Sequence, residues 1–138
     1  MDIASLCMGP TPWHDELTVV SEFVRATNAG ELERLTALFS QDAQVNDQLR
    51  NFWGLDEIAA WLSREIVGEQ ARLNARSLRK HYDTVILNAE ITGNFETPRV
   101  LHPMIFDLYF TVQDTRIIRL LILLARQDMP EPEIRRVA

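Results

Sequence analysis

The sequence is short of cysteine, lysine and long apolar runs, and each shortage closes off a class of protein. A single cysteine, Cys7, excludes an intramolecular disulfide framework and any zinc site built on two thiolates. The longest uninterrupted apolar stretch, residues 120–125, is far too short for a membrane span. Residues 1–10 hold neither a positive region nor an apolar run of signal-peptide length, so the expected location is the cytoplasm. Positive charge is in deficit, with 14 basic against 20 acidic residues and a net of −6. That balance argues against nucleic acid or an anionic membrane surface as partner. Thirteen of the basic residues are arginine and only Lys80 is lysine, which suits fixed, forked pairing over a mobile basic patch. Internal repeats, low-complexity segments, a nucleophile elbow, a glycine-rich phosphate loop and a dinucleotide fingerprint are all missing. The three histidines are dispersed without a His-x-x-x-His pair, so neither a metal nor another cofactor is expected.

What remains is an ordinary globular composition. At 138 residues and 46% hydrophobic content the chain suits one domain with a sizeable core. The reading divides it into a flexible N-terminal segment at 1–10, a domain at 11–126 and a tail at 127–138 containing Pro130 and Pro132. The first half has helical period. Thr11 and Pro12 resemble a cap and a first-turn proline, and Trp13, Leu17, Val20 and Val24 mark one face. Gly30 can end that helix in the left-handed conformation. A short second helix places Leu32, Leu35 and Phe39 on one side, and residues 43–47 alternate as a strand. A third helix starts after Gly54, with the stripe Leu55, Ile58, Ala59, Leu62 and Ile66, and stops at Gly68. The second half alternates as strands at 84–92, 101–112 and 116–125, preceded by a mixed segment at 71–80, with reversals at 80–83 and 113–115 and a loop at 93–99. Helices followed by antiparallel strands make an α+β domain in which the helices cover one sheet face.

Specific residues sharpen that outline. The run from Val19 to Val24, Asn28-Ala29-Gly30-Glu31-Leu32, Ala37-Leu38-Phe39 and the segment from Asp42 to Asp47 resemble the N-terminal half of the nuclear transport factor 2-like superfamily. Within it the match is nearest the SnoaL-like polyketide cyclase and ketosteroid isomerase-like families. Gly54-Leu55-Asp56-Glu57-Ile58 resembles their entry to the third helix, and the segment from Thr115 to Leu120 their final strand. The resemblance covers roughly residues 15–125. It implies a cone, also described as a cystatin-like α+β barrel: a strongly curved antiparallel sheet wrapped around three helices, with an apolar pocket at its open end. It also implies a homodimer pairing through the outer sheet face. Fold alone leaves the activity open, because this scaffold hosts many chemistries.

The resemblance assigns candidate residues. Asp47 falls where ketosteroid isomerases place their general base. There a carboxylate near an apolar floor is kept basic enough to lift a proton beside a carbonyl. That chemistry also needs donors for the developing oxyanion, in ketosteroid isomerase a tyrosine and a protonated aspartic acid. Those two positions carry Phe23 and Phe106 here, which argues against steroid isomerisation by that mechanism. The bland alternative for Asp47 is a solvated residue closing its strand. Pairing with Arg50 would favour an electrostatic role over a base. His102 shares strand parity with Met104 and Phe106 and is a candidate donor or proton shuttle, or a histidine satisfied by backbone. His14 and His81 read as exposed and idle.

The implied pocket lining is Phe23, Trp53, Trp61, Met104, Phe106, Leu120 and Ile122, which suits a small apolar or aromatic ligand. Asp107, Tyr109 and Arg119 fall on the opposite, outer parity. Two functions follow: an isomerase, dehydratase or cyclase using Asp47 with His102, or a non-catalytic ligand-binding or dimerisation module. For a hydrolase resembling the limonene epoxide type, which usually needs Asp-Arg-Asp around a water, Asp47 and Arg50 are only a partial match.

Overall fold

Leu17, Val20, Phe23 and Val24 recur every three or four residues, and helix α1 (His14–Ala29) buries that stripe. The computed structural model describes residues 13–94 and 104–125. The expected cap at Thr11 and Pro12, loop residues 95–99, the strand start at Leu101, His102 and both terminal segments lie outside the described residues. Gly30, with φ +70°, ends α1 as expected, and its N–H returns to the carbonyls of Ala26 and Thr27.

Helix α2 (Leu32–Ala37) is shorter than its apolar spacing suggests. Phe39 does not continue it but opens strand β1 (Phe39–Asp47). The reason is tertiary: the Leu38 carbonyl accepts the Ile117 N–H at 2.8 Å, which draws this backbone into the sheet. Along β1 the buried positions alternate at Ala43, Val45 and Asp47. A two-residue turn at Gln48 and Leu49 then leads into β2 (Arg50–Trp53), a strand not among the expected elements.

Helix α3 (Gly54–Trp61) passes directly into a π-helical turn (Leu62–Val67). Gly68 follows it at a close approach where a Cβ would come within 2.6 Å of the Arg64 carbonyl oxygen. The remaining chain forms β3 (Arg72–His81), β4 (Thr84–Thr92), β5 (Met104–Gln113) and β6 (Arg116–Leu124).

The six strands form one sheet in the order β2-β1-β6-β5-β4-β3. Its neighbours are antiparallel except β1 and β6, which run parallel, so the sheet is mixed where an antiparallel one was expected. The parallel pair joins strands far apart in sequence, where no hairpin dictates direction.

The fold is the expected α+β cone. Concave-face residues line up across strands, with Asp47 opposite Ile122, Ile122 opposite Leu108, and Leu108 opposite Leu87. The next row inward holds Val45, Leu120, Phe110 and Val85. Phe23 of α1 packs edge-on against Phe110 at 5.2 Å and Phe39 at 6.3 Å. Leu62 is fully buried in the same core. The far edge strand, β3, is tied to α1 by Asn28. Its side-chain amide donates to the Leu73 carbonyl at 3.0 Å and its oxygen accepts the Leu73 N–H at 2.7 Å, covering part of an exposed ladder.

Candidate functional site

Asp47 continues the inward alternation of Ala43 and Val45, so the pleat turns its carboxylate toward the core. It is only 7% exposed, a burial that an ionised group tolerates only with partners. Trp61, fully buried at the end of α3, donates its indole N–H to Asp47 Oδ2 at 3.0 Å. Arg50, three residues along the hairpin, donates from Nη2 to the same oxygen at 2.9 Å. Gln48 Nε2 donates to Oδ1 at 3.2 Å. The acid therefore has one buried neutral donor, one cation and one amide.

Arg50 is shared. Its Nη1 and Nη2 grip Glu65 in a fork, at 2.9 and 2.7 Å, and its guanidinium lies 5.5 Å from the Phe52 ring centroid. Glu65 stands in the π-helical turn, whose wider winding sets the carboxylate opposite the hairpin. The hydrogen bond from Arg50 holds the Glu65 carboxyl below the usual carboxylate range. The same fork raises Arg50 above its ordinary value, with Asp47 contributing less than Glu65. Both Glu65 oxygens accept from the guanidinium, while the Asp47 carboxylate shares it through Oδ2 alone.

The aromatic residues divide. Phe23, Trp61, Phe106, Leu120 and Ile122 are buried in one core, with Met104 packed against it. Trp53 is not brought to the Asp47 side. It pairs with Gln44 on the outer parity and is 61% exposed. Its neighbour Phe52 takes the inward position, opposite Val45, and stacks on Trp61 at 5.8 Å. The alternation of a four-residue strand decides between them, and sequence reading that lacks β2 cannot make that choice. Glu65 was likewise missed, since a helical wheel drawn through residues 54–67 ignores the π-helical register. On the outer face Asn88 Nδ2 donates to Asp107 Oδ1 at 2.7 Å, and Arg119 lies opposite Thr111, as the strand parity implies.

The class that this architecture defines is the nuclear transport factor 2-like fold. The solved structures it resembles agree. A candidate polyketide cyclase from Sinorhizobium meliloti superposes with a TM-score of 0.68 at 23% identity, covering 77% of this chain and 94% of its own. A candidate ketosteroid isomerase from Kribbella flavida gives 0.68 at 12% identity, over 91% and 88%. An NTF2-like protein of unknown function from Cytophaga hutchinsonii gives 0.63 at 12% identity, over 78% and 87%. No protein-family model and no curated protein matches the sequence. Identities this low establish the fold and leave the chemistry to the site. Among the described residues no helix is long and apolar enough to cross a membrane.

Proposed function

We propose that this chain binds a small apolar or aromatic ligand at the concave end of the cone, with Asp47 as the polar contact. The observation that carries the reading is the Asp47 carboxylate, buried beside Ile122 and held by the Trp61 indole. A carboxylate costs several kcal/mol to desolvate, and such sites persist where a few polar groups orient a ligand among apolar ones. The lost oxyanion donors at Phe23 and Phe106 and the Arg50 pairing both weigh toward binding. The solved structures named as a candidate polyketide cyclase and a candidate ketosteroid isomerase share the fold on which such a site would sit.

The second reading keeps Asp47 as general base of an isomerase, dehydratase or cyclase, and the burial of its carboxylate favours it. On that reading Asp47→Asn lowers turnover ~10²–10⁴-fold. The reading further takes the chain to be cytoplasmic and dimeric through its outer sheet face.

An NMR screen of the labelled chain with small apolar and aromatic compounds tests the binding reading. Binders should shift the Trp61 indole N–H resonance, together with the amides of Asp47 and Ile122. Compounds that perturb only the outer strand faces would reject it.

A further inference from the structure

Two leucines stand uncovered beside the Asp47 end of the concave face: Leu49 is 82% exposed and Leu124 is 55% exposed. The pairing that places Asp47 also places them. Asp47 lies opposite Ile122 in the parallel pair, and the Gln48 N–H donates to the Ile122 carbonyl at 3.0 Å. Two residues beyond that pair, Leu49 stands in the turn that follows β1 and Leu124 ends β6. Leu124 keeps the alternation of Leu120 and Ile122 and sits opposite buried Phe106, so it belongs to the core side while remaining exposed.

Leu49 is held in an unusual backbone state. The turn at Gln48 and Leu49 has φ of 54° and 75°, a region where glycine or asparagine is favoured and a leucine is strained. Asn46 Oδ1 accepts the Leu49 N–H at 2.9 Å and fixes the turn. Tyr82, Asp114 and Thr115 hold positive φ in other hairpins. What separates Leu49 from them is that its strained, exposed hydrocarbon follows a buried acid by two residues.

The acid itself has spare capacity on one side. Oδ2 accepts from both Trp61 and Arg50, which fills its two lone pairs, whereas Oδ1 accepts only from Gln48. A cationic head group at Oδ1 would meet the Arg50 guanidinium, 2.9 Å from the other oxygen. A neutral hydroxyl has no such conflict.

We propose that the Asp47 end takes an elongated apolar ligand bearing one hydroxyl, which donates to Asp47 Oδ1 while the hydrocarbon body lies against Leu49 and Leu124. This rests on the ligand-binding reading above and adds its substrate class and two specificity residues. Backbone strain at Leu49 then has a function, since it presents an aliphatic side chain where turn chemistry would select glycine.

The test uses the full chain with Nile red as an apolar reporter. It is displaced by 1-octanol or by 1-methoxyheptane, which has the same number of heavy atoms and no donor. The alcohol should compete ~10-fold better than the ether, the size of one hydrogen bond to a charged acceptor. Leu49→Gly and Leu124→Ser should each weaken Nile red binding ~5-fold, as expected for a partly buried leucine contact. Leu49→Gly should at the same time raise the melting temperature, a gain that a purely structural leucine would not pair with lost binding. Equal competition by alcohol and ether overturns the hydroxyl head group. Wild-type affinity in both leucine variants overturns their part and leaves the ligand-binding reading standing. No Nile red binding by the wild-type chain overturns both.

Discussion

Trp61 carries two interactions at one position. Its ring stacks on Phe52 inside the core, and its indole N–H satisfies a carboxylate that the pleat of β1 turns inward. Burying either polar group alone would be costly, and together each supplies what the other lacks. Trp61→Phe keeps the stacking and removes the donor. We expect a loss of ~1–3 kcal/mol in urea unfolding, the penalty for leaving a buried acceptor short of a partner. A loss under ~0.5 kcal/mol, the size of a surface substitution, would show that Asp47 is solvated by other means. In Asp47→Asn the same Trp61→Phe change should cost less, because the charge that needs the donor has gone.

Between elements, the corner joining α1 and α2 is pinned by arginine forks. Arg25 donates from Nε and Nη2 to the two Glu22 oxygens, both at 2.8 Å, and from Nη2 to Glu31 at 2.8 Å, while Arg34 reaches Glu22 at 2.6 Å. Hydrogen bonds from Arg25, then from Arg34, lower the Glu22 carboxyl to about 2. Its folded value lies below the unfolded one, so the stabilisation is complete above the unfolded value near 4.5 and fades as pH falls from there toward 2. Both arginines are half exposed, so water screens the network and its worth is well below what the shift alone would imply. Melting curves from pH 7 to pH 2.5 should show this contribution draining away in the wild-type chain. In Glu22→Gln that part of the pH dependence should be missing. If both proteins lose stability in parallel across that range, other carboxylates govern the acid limb.

For the whole molecule, the inner face of the curved sheet is consumed by the core and the outer face is only partly exposed, with Ile86 and Asn88 of β4 buried on it. The outer parity of β5 and β6 carries Ile105, Tyr109, Leu121 and Leu123, all half-buried, beside Asp107 and Arg119. A sheet face mixing apolar and charged residues has the composition of an interface. A two-fold dimer on this face should give about 32 kDa by light scattering, twice the 15.9 kDa chain. Leu121→Glu should return the chain mass. A wild-type chain that stays at the monomer mass across concentration would remove this assembly from consideration.

The sequence by itself determined the elements that local chemistry enforces: the α1 stripe ended by Gly30, the alternation of β4, β5 and β6, and the inward parity of Phe106, Leu120 and Ile122. Asp47 was singled out by the family resemblance, and the structure then showed that it stands on the buried parity of its strand. Only the tertiary structure decided the rest. Phe39 left its helix for a strand because an Ile117 N–H, 78 residues away, needed the Leu38 carbonyl. Phe52 displaced Trp53 as the inward ring once β2 paired with β1. Glu65 reached Arg50 through a π-helical turn that no simple helical period encodes. In each case the deciding partner lies far along the chain or in a register set by packing, and local propensity carries no record of it.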